Sequence, residues 1–303
     1  MLRKLLPLLL VAALFVSCSA PAAPPAPTET TLTDVLGRSV VITKVPEKII
    51  TTTAAATEIV YALGAGDRLV GRDEYSIYPE AALSVEVIGD YAGPNIERVT
   101  ALAPDIVVMG DKLQSQSIDA LAALGLNVLA SDATGYDDVA ESITLIAKAI
   151  LPADQAQKKA DEVIATMTDA EKKVADAIAD KGMPKVYYSV AYGEYGDYTC
   201  GKGSYITRLI ELAGGVCVSA DVEVPWPSTS IEQIITWDPD VIVLGGYPGD
   251  DEVFVTLDNY KDLRAVKDGR VYLIDANVMS HPGPRLAEAL LELGRAIHPD
   301  AGL

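Results

Sequence analysis

The sequence predicts an α/β protein of two similar lobes, each with a mainly parallel central sheet, joined by one long α-helix. Three observations carry this. Residues 96–110 recur at an offset of 135 as residues 231–245, with Ile96, Glu97, Pro104, Asp105 and Gly110 matched by Ile231, Glu232, Pro239, Asp240 and Gly245. Each copy reads as a short helix with Glu in its first turn, a Pro-Asp stop, and four apolar residues closed by Gly, the pattern of a buried parallel strand. The 303-residue length fits two domains, and a nearly unbroken helical pattern from Asp137 to Lys181 separates the two copies.

In chain order, residues 1–17 read as a signal peptide. Arg3 and Lys4 form a charged start, and the apolar run Leu5–Val16 is too short to span a bilayer. Ser17-Cys18 after that run resembles a bacterial lipobox, with Phe15 where Leu is usual, and makes Cys18 the expected lipidation site. Residues 18–31, rich in Ala, Pro, Ser and Thr, read as a tether. The first lobe, residues 32–136, opens with a hairpin around Gly37. It continues through a strand at Lys48–Ile50, a turn at Thr51–Thr57, a helix at Glu58–Leu63 closed by Gly64, a strand at Arg68–Gly71 and a loop carrying Tyr75 and Tyr78. The first copy of the repeat, a helix near Ser115–Leu124 and a strand at Asn127–Ala130 complete it.

The linker, residues 137–183, is divided by Pro152, which suits the first turn of a new helix. Residues 153–181 would make a helix of roughly 43 Å at 1.5 Å per residue. Its apolar positions Ala160, Val163, Ile164, Met167, Val174, Ala177 and Ile178 recur at helical spacing, so one face can pack on both lobes. The second lobe, residues 184–303, runs through a strand at Lys185–Val190, a Gly- and Tyr-rich loop to Gly203, a helix at Ser204–Ala213, the loop Asp221–Ser230 and the second copy. A strand at Arg270–Ile274, the loop Val278–Pro284 and a helix at Arg285–Ile297 close the chain.

Composition narrows the function. With 24 Lys+Arg against 43 Asp+Glu the formal charge is -19, which excludes a nucleic-acid partner because phosphate binding needs a basic surface. Two histidines and no Gly-x-Ser-x-Gly leave no assembled hydrolase triad, so an enzyme is not expected. Gly196–Lys202 has phosphate-loop spacing but places Gly203 where the magnesium-binding hydroxyl belongs. Setting Cys18 aside, Cys200 and Cys217 form a candidate disulfide. A helix predicted between them leaves both the bonded and the free-thiol forms open.

Taken together, several stretches resemble the substrate-binding lipoproteins of ABC importers for cobalamin, iron-siderophores and haem. They are Asp34–Arg38, Thr57–Gly64, Tyr75–Pro79, both copies of the repeat, Gly201–Ser204, Trp226-Pro227 with Ser230–Gln233, and Pro282–Arg285. The resemblance covers nearly all of residues 32–299. It implies a ligand cleft between the lobes, limited hinge motion about the long helix, an extracytoplasmic lipid-anchored location and a monomer that delivers its ligand to a permease dimer. It also implies that Glu97 and Glu232 dock onto arginines of the two permease subunits, and that Tyr75, Tyr78, Tyr198, Trp226, Asn277 and His281 line the cleft. Flat aromatics suit a large, planar, partly apolar ligand. His281 stands where cobalamin-binding members carry Arg, and Asn277 where they carry an acid.

No intrinsic cofactor is expected; the transported ligand is expected to be a metal chelate. Lys202 and Arg285 are the cations that the cleft loops offer, so a corrinoid such as cobalamin is favoured over an anionic ferric siderophore. A haem receptor using Tyr or His281 as axial ligand is an alternative. A zinc or manganese receptor of similar architecture is the other, although His281 alone cannot supply such a metal's ligands.

Overall fold

The computed structural model describes residues 29–90, 93–110 and 114–303. The signal peptide and Cys18 lie outside them. The fold begins at Thr30, two residues inside the expected tether of residues 18–31: β1 (Thr30–Thr33) pairs antiparallel with β2 (Ser39–Ile42). Asp34 closes this hairpin by accepting the Leu36 and Arg38 amides and pairing with the Arg38 guanidinium at 2.6 Å.

Lobe one continues with β3 (Ile49–Thr51), α1 (Ala54–Ala62), β4 (Leu69–Asp73), β5 (Val87–Asp90), β6 (Gly93–Pro94), α2 (Ile96–Leu102), β7 (Ile106–Met109), α3 (Ser115–Ala123) and β8 (Val128–Ala130). These strands form one sheet in the order β6-β5-β4-β3-β7-β8, parallel except for β6. Helix α1 starts four residues before the predicted Glu58. Three consecutive alanines favour helix over the expected turn, and the Thr53 side chain caps it by accepting the Ala56 amide.

The linker holds α4 (Asp138–Ile150) and α5 (Ala153–Ile178). At 26 residues, or ~39 Å, α5 stops three residues short of Lys181. A tight turn from the Lys181 amide to the Ile178 carbonyl ends it ahead of Gly182 and Pro184. Its buried residues, Ala156, Ala160, Val163, Met167, Ala170 and Val174, alternate spacings of four and three. That stripe packs on α4 along one stretch and on the C-terminal helix of lobe two along another.

Lobe two comprises β9 (Lys185–Ser189), β10 (Asp197–Tyr198), α6 (Tyr205–Leu212), β11 (Val216–Cys217), β12 (Ser228–Thr229), α7 (Ile231–Trp237), β13 (Val241–Gly246), α8 (Asp250–Phe254), α9 (Arg264–Lys267), β14 (Val271–Asp275), α10 (Ala276–Met279) and α11 (Leu286–Ile297). Its all-parallel sheet runs β11-β9-β13-β14, and β10 pairs with β12 as a separate antiparallel ribbon. That ribbon falls inside segments expected to be loops, and α10 overlaps the first two residues of the expected loop Val278–Pro284. Two-residue strands and a one-turn helix are too short to leave a period in the sequence.

Side-chain alternation divides the core into three parts. Ile49, Ile106 and Val108 join Val186, Tyr188, Val241 and Val243 in one apolar cluster that includes α4, α5 and α11. Their neighbours face outward in each lobe: Ile50, Val107 and Met109 pack under α3, while Tyr187, Ile242 and Leu244 pack with Phe254 and Tyr260. A core continuous through both lobes opposes hinge opening, because separating the lobes would expose part of it.

The repeat is matched in backbone as well as sequence. Asn95 and Ser230 cap α2 and α7 by accepting the amides of Arg98 and Gln233. Both helices end on a left-handed residue, Ala103 at φ 48° and Asp238 at φ 47°. Both Pro-Asp carboxylates then hold the start of a central-sheet strand, β3 or β9: Asp105 accepts the Glu47 and Lys48 amides, and Asp240 accepts the Lys185 amide at 2.7 Å.

Candidate functional site: a cleft between the lobes

The loop after β4 carries Tyr75 and Tyr78, whose side chains remain about half exposed. It is held from below by a chain of hydroxyls. Thr51 bonds Thr57 at 2.6 Å, Thr57 bonds Ser76 at 2.8 Å, and Ser76 donates to the Asp73 carboxylate, which also accepts the Tyr75 amide. The Tyr78–Pro79 peptide bond is cis. Across the seam, the lobe-two turn at Gly283 lies so near α1 that a Cβ there would be 3.3 Å from Glu58 Oε2 and 3.5 Å from Ala55 Cα.

Arg285 joins the two sides. Its guanidinium carbon sits 4.1 Å from the centre of the Tyr78 ring, within cation–π range. The same side chain lies 3.7 Å from Glu58 Oε1, donates to Glu288 at 3.3 Å and donates to the Asn277 carbonyl at 3.2 Å. Glu58 is buried, and its other oxygen has no hydrogen-bond partner. Burial outweighs the attraction of Arg285 and pushes the Glu58 carboxyl up to about 8. A second charge interaction crosses the seam, between Asp73 and His281. Burial raises the Asp73 carboxyl and lowers the His281 imidazole, each effect opposed in part by the other's charge.

On lobe two, Tyr198 lies on the β10–β12 ribbon opposite Ser228 and bridges to Ala191. Trp226 packs edge-on against Tyr205 at 5.5 Å, and the Tyr205 hydroxyl donates to the Met279 carbonyl. The Thr199 and Gly201 amides donate to the carbonyls of Pro227 and Pro225, gripping the Trp226 loop on both sides. Gly201 is required for that approach, since a Cβ would come within 2.3 Å of the Val224 carbonyl oxygen. Asn277 spends one of its two side-chain N–H donors on Asp275 at 3.0 Å, leaving the second N–H and the side-chain oxygen to offer.

Direct contacts thus tie Tyr78 and Asn277 to Arg285, and Trp226 through Tyr205 to the end of α10. Tyr75, Tyr78, Tyr198 and Trp226 are four of the five large aromatics that the described residues leave well exposed; Tyr247 is the fifth. A cavity of about 860 Å³ opens within lobe two at the C-terminal ends of β9 and β13, between Val190–Glu194, Gly245–Tyr247 and Leu257–Tyr260. Strand ends of a parallel sheet are a usual place for a ligand, yet none of the six predicted residues lines this cavity. It adjoins Tyr198 through the backbone of Val190 and Ala191, whereas the side chains in contact across the lobes are Glu58, Tyr78 and Arg285.

Glu58 and Tyr247 were not singled out by sequence reasoning, and Arg285 was weighed only as a cleft cation. Thr57-Glu58 and Pro284-Arg285 both stand among the stretches quoted for the resemblance, which was the available signal. Lys202, the other cleft cation, pairs with Glu223 at 2.9 Å. Glu97 and Glu232 are exposed in the first turns of α2 and α7, and among the described residues neither pairs with a cation. No group of three or more His, Cys, Asp or Glu is gathered for a metal ion, and no helix is long and apolar enough to cross a membrane, among the described residues.

Residues 49–278 match the family model for periplasmic binding proteins. The chain belongs to that family. It is 32% identical over 278 residues to an uncharacterised ABC transporter substrate-binding lipoprotein, YvrC, of Bacillus subtilis, covering 89% of this chain and 86% of that one. It is 33% identical over 202 residues to the vitamin B12-binding protein of Yersinia pestis, covering 66% and 70%. The crystal structure of the periplasmic vitamin B12 binding protein BtuF of Vibrio cholerae superposes with a TM-score of 0.70 at 27% identity, over 86% of this chain and 99% of that one. The two-lobed α/β architecture is therefore the family's own.

Proposed function

We propose that this family member is an extracytoplasmic receptor, lipid-anchored through Cys18, that captures a corrinoid in the interlobe cleft and delivers it to the permease dimer of an ABC importer. The observation that carries the ligand class is the set of half-exposed aromatics, Tyr75, Tyr78, Tyr198 and Trp226, on cleft loops whose two cations are already engaged. Arg285 is committed to Glu58, Glu288 and Tyr78, and Lys202 to Glu223. Exposed aromatic area without an unengaged cation among the described residues of those loops suits a large, neutral or cationic ring system and disfavours an anionic siderophore. The vitamin B12-binding relatives support the same class.

Glu97 and Glu232 are the proposed docking charges. They occupy equivalent positions in a pseudo-two-fold pair of helices and pair with no cation among the described residues, Glu232 bonding the Ser230 hydroxyl, so a two-fold partner could meet both.

Trp226 offers the test. In a Trp237→Phe variant of the chain from Ser19 onward, Trp226 is the remaining tryptophan. Cobinamide or cyanocobalamin should quench its fluorescence saturably, and Trp226→Ala should weaken binding by about 10- to 100-fold. Absence of binding to either corrinoid would overturn the ligand reading, and a response to haem alone would replace it.

A further inference from the structure

Cys200 and Cys217 face each other in the core of lobe two, both buried, with their sulfurs 3.5 Å apart and both thiols free. Cys217 belongs to the edge strand β11, paired with Val186 of β9. Cys200 lies between the two residues whose amides hold the Trp226 loop: Thr199 donates to Pro227 and Gly201 to Pro225. The Ser219 hydroxyl donates to the Cys200 carbonyl at 2.6 Å and approaches the Cys217 sulfur at 3.5 Å. The backbone on both sides of the pair is therefore already held in place. Bond formation requires the sulfurs to close by about 1.5 Å, to the ~2.05 Å of a disulfide.

We propose that Cys200 and Cys217 form a disulfide in the exported protein, a staple that fixes the carrier of Trp226 to the central sheet. The pairing rests on export, and its effect on ligand rests on the assignment of Trp226 to the cleft, both part of the function proposed above. The oxidant is a disulfide, from a protein or a small molecule. A thiolate at Cys217 attacks one of its sulfurs and releases a first thiolate. A thiolate at Cys200 then attacks the Cys217 sulfur of the mixed disulfide and releases the second. Two thiols are oxidised and one disulfide is reduced to two thiols, so electrons and protons balance. Because both sulfurs are buried in the folded lobe, exchange belongs to the folding chain or to a locally opened state. The bond, once enclosed, resists external thiols.

The chain from Ser19 onward contains Cys200 and Cys217 as its two cysteines. Secreted into an oxidising compartment, purified without reductant and denatured under thiol-blocking conditions, it should show no titratable thiol and an intact mass lighter by two hydrogens than the reduced chain. Reduction in the unfolded state, followed by refolding with reductant present, should lower Tm by about 5–10 °C. In the Trp237→Phe background, reduction should also increase acrylamide quenching of Trp226 and raise the cobinamide off-rate severalfold. A Cys200→Ala, Cys217→Ala variant should respond to reductant in none of these measurements.

Two titratable thiols, persisting after refolding with oxidised glutathione, would overturn the pairing. A formed bond whose reduction leaves quenching and Tm unchanged would overturn the staple's mechanical role. Thiol count, Tm and quenching need no ligand, so a failure of the corrinoid reading would be seen separately, as absent cobinamide binding in the oxidised protein.

Discussion

Residues 96–110 and 231–245 are the same device built twice, whereas the loops that face the cleft share almost nothing between the lobes. In both copies an Asn or Ser caps the helix, a left-handed residue ends it, and an Asp carboxylate holds the start of a central-sheet strand. The cleft loops are individual by contrast. Lobe one supports Tyr75 and Tyr78 on a chain of hydroxyls ending at Asp73, and lobe two suspends Trp226 between two proline carbonyls. The difference teaches where function is distributed. A symmetric framework can present matched charges to a symmetric partner, while an asymmetric ligand needs loops free to diverge.

The largest expected effect would break this division outright. Replacing Glu97 and Glu232 together with Lys should reduce corrinoid uptake in cells by about 100-fold or more, through reversal of two charge contacts. Affinity of the isolated protein should stay within about twofold. Equal loss of affinity and uptake would place these residues in the ligand site and erase the contrast.

Arg285 sharpens the other half. Arg285→Met removes the cation from the Tyr78 ring and leaves Glu58 buried without a partner. Affinity for cobinamide should fall about tenfold, and the loss should be non-additive with that of Tyr78→Leu if Arg285 acts through the ring. Full additivity would mean that Arg285 contacts the ligand itself.

Glu58 makes the same seam sensitive to pH. Its carboxyl is pushed up to about 8 by burial, so between roughly pH 4.5 and 8 the folded state holds more protons than the unfolded chain. Stability should therefore fall as pH rises through that window, with a slope approaching about 1.4 kcal/mol per unit. Glu58→Gln should match the wild type near pH 5 and exceed it near pH 8.5. Chemical denaturation at the two pH values checks this, and an unchanged slope in the variant would assign the dependence elsewhere.

The smallest effect lies in the framework. Ala103 pays for a left-handed backbone that glycine adopts freely, so Ala103→Gly should stabilise by about 1 kcal/mol. Asp238→Gly should gain less, because Asp238 also pairs with Arg264 at 2.9 Å. A destabilised Ala103→Gly variant would remove backbone strain as the shared feature of the two helix ends.

These contrasts also mark what the sequence could reveal. The repeat, the parallel strands and the long helix were legible because apolar periodicity and Pro-Asp stops repeat over many residues. The resemblance assigned Tyr75, Tyr78, Tyr198 and Trp226 to cleft loops, and the fold leaves all four about half exposed. Glu58 and Arg285 were not read as a pair because they are 227 positions apart, and nothing local in either signals a seam. The start of α1 was missed because Ala54–Ala56 has no amphipathic pattern, and helix propensity with the Thr53 cap decided it. The proximity of Cys200 and Cys217 depended on how α6 returns the chain to β11, which spacing alone leaves open.

The central claim is that the cleft binds a large chelate mainly through aromatic faces and not through cations. Calorimetric titration of the chain from Ser19 onward with cobinamide and, separately, with an anionic ferric catecholate tests it most directly. Binding of cobinamide at micromolar Kd or tighter, little changed by added salt, with no heat from the catecholate, is the expected result. Tight, salt-sensitive binding of the catecholate with none of cobinamide would contradict it.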